Sequence, residues 1–197
     1  MIGPKKIYLN GQLVGEVPAA KDDDEHMELA IALMKAKGLY EPTTLVQGMF
    51  RQAVSFATTA SYLYKRDLTT VPRNGISVVP FVVNNAFAIE LYLKTLGQLH
   101  NTPLRGHDLL VLFDLLPASA KDALLPHLAS TQWQCGIATL ADYRLELNEL
   151  RGAFVEWRYL FETGRTAEIK FQPMIFVTEV LHNTCKAREE VCGASPV

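Results

Sequence analysis

The stretch from Pro80 to His100, PFVVNNAFAIELYLKTLGQLH, sets the strongest limit on how this chain can fold. Read at 100° per residue, Val82, Ala86, Ile89, Leu93 and Leu96 share one face, and Phe81, Ala88, Tyr92 and Leu99 widen it. The remaining side still carries Val83, Phe87 and Leu91. A helix that is apolar on nearly every side has to be enclosed by other elements, so this one is expected at the centre of the fold. Glu90 and Lys94 interrupt it at i, i+4 spacing, with Asn84 and Asn85 one to two turns earlier. Charges on an enclosed helix need partners. For Glu90 two are open: Lys94 on its own helix, or arginines from a later helix.

That later helix is expected over Ala141 to Glu162, ADYRLELNELRGAFVEWRYLFE. Its apolar side chains Tyr143, Leu147, Leu150, Phe154, Trp157 and Phe161 fall on one core-facing side. Along one flank Arg144, Arg151 and Arg158 recur every seven residues, nearly two turns, with Glu162 four residues beyond Arg158. A ladder of this kind keeps its stems on the core while the planar heads meet phosphate or carboxylate. It is equally compatible with a solvated rim and an Arg158–Glu162 pair, worth a few tenths of a kcal/mol.

The other segments are shorter. Lys5 to Val17 reads as a β-hairpin around Asn10-Gly11, the pair that best suits a two-residue type I′ turn, and Pro18 ends its second strand. Asp22-Asp23-Asp24-Glu25 supplies an N-cap and favourable charge for a helix running to about Lys37 and stopped by Gly38. This acidic run lacks the spaced oxygen ligands of a calcium loop. Further helices are expected from Thr43 to about Arg66, over HDLLVLFDLLP ending at Pro117, from Ala118 to Leu128 with Pro126 near its end, and from Pro173 to Val191. The division is therefore an appendage over residues 1–40, hairpin plus helix, and an all-α antiparallel helical bundle over 41–197.

Composition narrows the function. With 19 Lys+Arg against 21 Asp+Glu the formal net charge is −2, so no global cationic field draws nucleic acid and any such contact needs a local patch. The 5 histidines are scattered without ligand spacing, and neither a glycine-rich phosphate loop nor a GxSxG nucleophile motif occurs. No metal or cofactor is expected. The 3 cysteines, Cys135, Cys185 and Cys192, form no CxxC and are odd in number, which suits reduced structural thiols. With no signal-peptide pattern and no uninterrupted apolar run of about eighteen residues, a cytoplasmic protein without a membrane span is expected.

Three blocks taken together, AFAIELYLKTL, GHDLLVLFDLLP and LRGAFVEWRYLFE, resemble the HEPN domain family of prokaryotic toxins, phage-defence proteins and CRISPR effectors. The resemblance spans roughly Leu45 to Val191 and implies a HEPN-like helical bundle that forms a homodimer. Active ribonucleases of that family carry an arginine, a polar residue, three further residues and a histidine on a late helix, paired across the dimer cleft without metal. The matching positions here are Arg151, Gly152 and Glu156. Glutamate at the histidine position cannot donate a proton near pH 7 unless its pKa is raised by about two units. The resemblance therefore implies a homodimer that binds RNA or a nucleotide without the standard ribonuclease chemistry, in a phage-defence or toxin–antitoxin setting that can include a partner protein. Its ligand would meet Arg158 and Tyr159, with Arg144, Glu90 and Lys94 beside them. Two alternatives stand. One is an active endoribonuclease with a rearranged site, Arg151 with Glu156 or His107. The other is a purely structural module in which the arginines, Glu90 and Glu162 form a buried ionic network.

Overall fold

The computed structural model describes residues 3–9, 11–40, 42–131, 135–159 and 170–188. Contacts divide the chain into two compact units, Met1–Thr43 and Thr44–Val197. In the first, β1 (Lys5–Leu9) pairs antiparallel with β2 (Gln12–Val17), with a register shift between Ile7 and Tyr8. Gly11 takes φ +81° at the turn, the left-handed conformation the hairpin demands; Asn10 lies outside the described residues. Helix α1 (Asp23–Ala36) starts at Asp22, whose carboxylate accepts the Glu25 N–H at 2.8 Å, and Gly38 at φ +68° follows its end. The Lys37 ammonium donates to the Val14 carbonyl, and Gly15 leaves room for Leu33, so β2 lies against α1.

The second unit is helical among its described residues. Helix α2 (Leu45–Leu63) opens with a reciprocal cap between Thr44 and Gln47 and tightens into a π-helical turn, Tyr64–Leu68. Asp67 in that turn accepts from Arg66 and from the Ser77 hydroxyl, tying it to the short 3₁₀ turn Gly75–Ser77 ahead of α3 (Val78–Leu99). Helix α3 is the central element its composition demanded. Phe81, Val82, Ala86, Ala88, Ile89, Tyr92, Leu93 and Leu96 are all buried, and α2 and three of the later helices pack round it. The span Gly75–Leu99 is long and apolar enough to cross a membrane, yet 61% of its most apolar window is buried inside the protein, as befits a core helix.

Beyond α3 lie α4 (Leu109–Asp114), α5 (Ala118–Asp122), α6 (Leu125–Ser130), α7 (Leu140–Leu150), α8 (Ala153–Arg158) and α9 (Phe171–Lys186). Three expectations are corrected here. The single helix over Ala118 to Leu128 is two short ones, and Pro126 sits in the first turn of the second, where its missing N–H costs nothing. Pro117 caps α5 rather than closing α4. The rod expected from Ala141 onward breaks at Arg151-Gly152, although its apolar period continues across the break: Tyr143, Leu147, Leu150 and Trp157 are buried. Phe161 and Glu162 lie outside the described residues, so the Arg158–Glu162 pair does too.

Helix α9 closes the core with Met174, Val177, Val180 and Leu181, each buried. The Tyr143 hydroxyl donates to the Val177 carbonyl at 2.9 Å, and Cys185 Sγ lies 3.6 Å from the Tyr92 carbonyl. Burial pushes the Cys185 thiol far above its ordinary range, the state of an unreactive structural thiol. Cys192 is outside the described residues.

Candidate functional site

The polar groups that the sequence singled out gather where the middle of α3, the start of α4 and the α7–α8 break approach one another. Glu90 is only 1% exposed. Its Oε1 accepts from Lys94 Nζ at 2.7 Å and lies 3.0 Å from His107 Nδ1, while Oε2 is buried with no hydrogen-bond partner among the described residues. Of the two partners left open for Glu90, Lys94 one turn on is the one that meets it, not the arginines, and a histidine from the loop before α4 joins it.

His107 carries this buried charge outward. Its side chain is 72% exposed although Nδ1 rests on Glu90. A carboxylate on one ring nitrogen fixes the orientation of the imidazole and favours a proton there, so Nε2 is the nitrogen presented to solvent. The next residue, Asp108, is the N-cap of α4. Its Oδ1 accepts the Leu110 and Val111 N–H groups at 3.0 and 3.1 Å. Its Oδ2 accepts Arg151 Nε at 3.0 Å and Nη2 at 2.6 Å. Partial burial acts to raise the Asp108 pKa, but the Val111 N–H and the Arg151 guanidinium outweigh it and hold the carboxyl below its ordinary range.

Arg144 forms the matching bond one helix length away, with Nε at 2.7 Å and Nη2 at 2.6 Å from Asp114. That bond is also the leading reason the Asp114 pKa is lowered. The two pairs run in opposite senses along the chain, 144 with 114 and 151 with 108, so α7 lies antiparallel to α4 and is stapled to it at both ends. Arg151 and Arg144 are 48% and 47% exposed, so solvent screens each staple and it adds little to stability. Within this chain these two arginines are therefore not fully buried, and Glu162, which the structural alternative also invokes, lies outside the described residues.

Arg158 stands apart. Its guanidinium carbon lies 4.7 Å from the ring centroids of both Phe154 and Tyr159, and it has no carboxylate partner among the described residues. A guanidinium held against two rings presents its donors edge-on, and the exposed Tyr159 adds a face on which a base can stack. Glu156 is not drawn into the site. Its carboxylate curls back over Gly152, close enough that an added Cβ there would meet Oε1 at 2.3 Å, and no ion pair joins it to Arg151. Because that obstacle is the far end of an exposed, flexible side chain, Gly152→Ala is expected to shift unfolding free energy by less than about 1 kcal/mol, read by urea denaturation. A larger loss would mean that Glu156 is held in place.

Of the residues chosen from sequence, Glu90 and Lys94 meet each other, Arg151 and Arg144 are paired, Arg158 and Tyr159 stack on one another, and Glu156 is elsewhere. The residues missed are Asp108 and Asp114 as arginine acceptors and His107 as the ligand of Glu90. A signal for the aspartates was available, since two carboxylates six residues apart on a short helix complement two arginines seven apart on an antiparallel one. Comparison with protein families, curated proteins and solved structures finds no match to this chain.

Proposed function

We propose that this chain is a HEPN-like helical protein that pairs with a second copy of itself and binds RNA or a nucleotide along the edge bearing His107, Arg151, Arg158 and Tyr159. The observation that carries this reading is the coupling of His107 and Arg151 through adjacent residues. Buried Glu90 orients the imidazole, and Asp108 orients the guanidinium, so one short segment before α4 sets two phosphate-binding groups. A second copy would find apolar surface beside the staples, where Val111 on α4, Leu115 just after it and Leu145 on α7 are exposed. The resemblance in α3, α4 and α7–α8 also rests on blocks that pack against one another.

The test is anisotropy of a labelled single-stranded RNA, with light scattering for the mass of the species that binds. Two chains per particle are expected. Arg151→Ala is expected to weaken binding about tenfold and to flatten its salt dependence, as for loss of a phosphate contact, while changing unfolding free energy by no more than about 1 kcal/mol. RNA affinity that is undetectable, or equal in the variant, contradicts the reading.

Cleavage is a second reading, favoured by one observation: the exposed Nε2 of an imidazole held by a buried carboxylate is placed as a proton carrier. His107 would then fill the role that the Glu156 position cannot, with Arg151 stabilising negative charge on the phosphorus oxygens. Cleavage lost in His107→Ala but kept in Glu156→Gln supports it. Intact RNA after incubation with the wild-type protein removes it.

A further inference from the structure

A second set of polar groups, used by nothing above, lines a cavity of about 470 Å³ between α2, α3 and α9. Its walls are Val54, Ala57, Ala60, Phe81 and Ile175, with Tyr64 and Tyr92 adding aromatic surface. This volume and this apolar lining are those of a small-molecule site rather than a packing defect. Several polar groups also reach it. The Thr178 hydroxyl lies 2.6 Å from Asn85 Oδ1 and 3.0 Å from the Met174 carbonyl, and both Asn85 and Thr178 line the cavity. His182 is anchored through Nδ1, 2.9 Å from the Tyr92 hydroxyl, and stacks on Phe50. Burial lowers its pKa, so the ring is neutral near pH 7 and offers no counter-charge.

Two side chains of opposite charge face the same cavity without meeting. Glu179, on α9, is half-buried and pairs with no cation among the described residues; burial alone raises its pKa. Lys65, in the π-helical turn after α2, pairs with no carboxylate among the described residues. A desolvated carboxylate without a counter-ion is a cost that the fold carries unless something cationic occupies the space beside it. An occupant satisfying both ends brings a cation to Glu179, an anion to Lys65 and an apolar body to the walls between them.

We infer that this cavity binds a small zwitterion with an apolar side chain, of the α-amino-acid class, its ammonium on Glu179, its carboxylate on Lys65 and its side chain against Phe81 and Ile175. The site shares no residue with the Glu90–His107–Arg151 cluster and stands or falls independently of it.

Isothermal titration of the full chain with four probes tests the assignment: L-phenylalanine, L-leucine, phenethylamine and 3-phenylpropanoate. The zwitterions are expected to bind at least tenfold more tightly than the amine or the acid. Glu179→Gln should abolish the preference for phenylalanine over phenylpropanoate, and Lys65→Met the preference over phenethylamine, each with a far-UV circular dichroism spectrum like that of the wild type. No heat from either amino acid at 10-millimolar order of concentration overturns the inference, as does an affinity that both variants leave intact. Tighter binding of the amine than of the zwitterion also overturns it, because Lys65 would then have no part.

Discussion

Lys94→Met is expected to lower the unfolding free energy by about 3 kcal/mol at pH 7, far more than the loss of an ordinary i, i+4 pair. On a solvated helix such a pair contributes about 0.3–0.5 kcal/mol. Here the acceptor is Glu90 on the central helix, 1% exposed, with one oxygen already lacking a hydrogen bond. Removing the ammonium leaves a buried anion with His107 as its one hydrogen-bond partner among the described residues, and breaking a buried pair from one side typically costs about 3–5 kcal/mol. The lower end applies because His107 remains in place. The double variant Glu90→Gln/Lys94→Met should recover most of the loss, since no charge is then left in the core. Urea denaturation of the wild type, the single and the double variant measures this directly. A single-variant cost below about 1 kcal/mol, or a double variant no better than the single, would show that Glu90 is reached by water.

Gly97→Ala is the second large effect, and its sign opposes helix propensity. Alanine in a helix interior is ordinarily favoured over glycine by about 1 kcal/mol. At this position a Cβ would meet the Thr102 carbonyl oxygen at 2.6 Å and Leu104 Cγ at 2.7 Å. The carbonyl cannot step aside freely, because the Thr102 N–H closes the turn onto the Gly97 carbonyl at 2.8 Å and Asn101 is held at φ +56°. Overpacking of this kind costs about 1–3 kcal/mol, and with the backbone involved a net loss of about 2 kcal/mol is expected by thermal or urea unfolding. A stabilised Gly97→Ala would mean that the chain after α3 does not fold back on it. This turn also leads directly to His107, so the same close approach helps to place the histidine beside Glu90.

What could be read from the residues follows from the range of the interactions involved. Helix α3 was legible because enclosure is written in its composition: Val82, Ile89 and Leu93 on one side and Phe87 and Leu91 on the other leave no face for water. The cap at Asp22 and the turn at Gly11 were legible for the same reason, each being decided within four residues. The break at Arg151-Gly152 was not, because apolar periodicity reports which side chains face the core and is indifferent to one interrupted backbone turn. The split between α5 and α6 hid behind Pro126, which suits a helix start as well as a helix end.

At the candidate site, charge spacing was visible and pairing was not. Arg144, Arg151 and Arg158 keep their spacing in sequence, but each finds a different environment: Asp114, Asp108 and a pair of aromatic rings. Those partners lie more than thirty residues away for Arg151 and thirty for Arg144, where no local pattern reaches. Glu90 illustrates the same point. Its spacing to Lys94 was plain, whereas His107 is brought to it by the tight return after Gly97, a feature of packing.

The central claim is that nucleic acid phosphate is received at the Glu90–His107 and Asp108–Arg151 pairs, and histidine NMR addresses it most directly. Protein labelled with ¹⁵N-histidine is titrated with a single-stranded RNA, and the His107 ring signals are assigned among the 5 histidines by a His107→Gln sample. The account predicts a saturable shift of the His107 Nε2 signal that is lost or weakened about tenfold in Arg151→Ala. A His107 signal that stays unmoved while RNA binds, or that moves equally in the Arg151 variant, contradicts it.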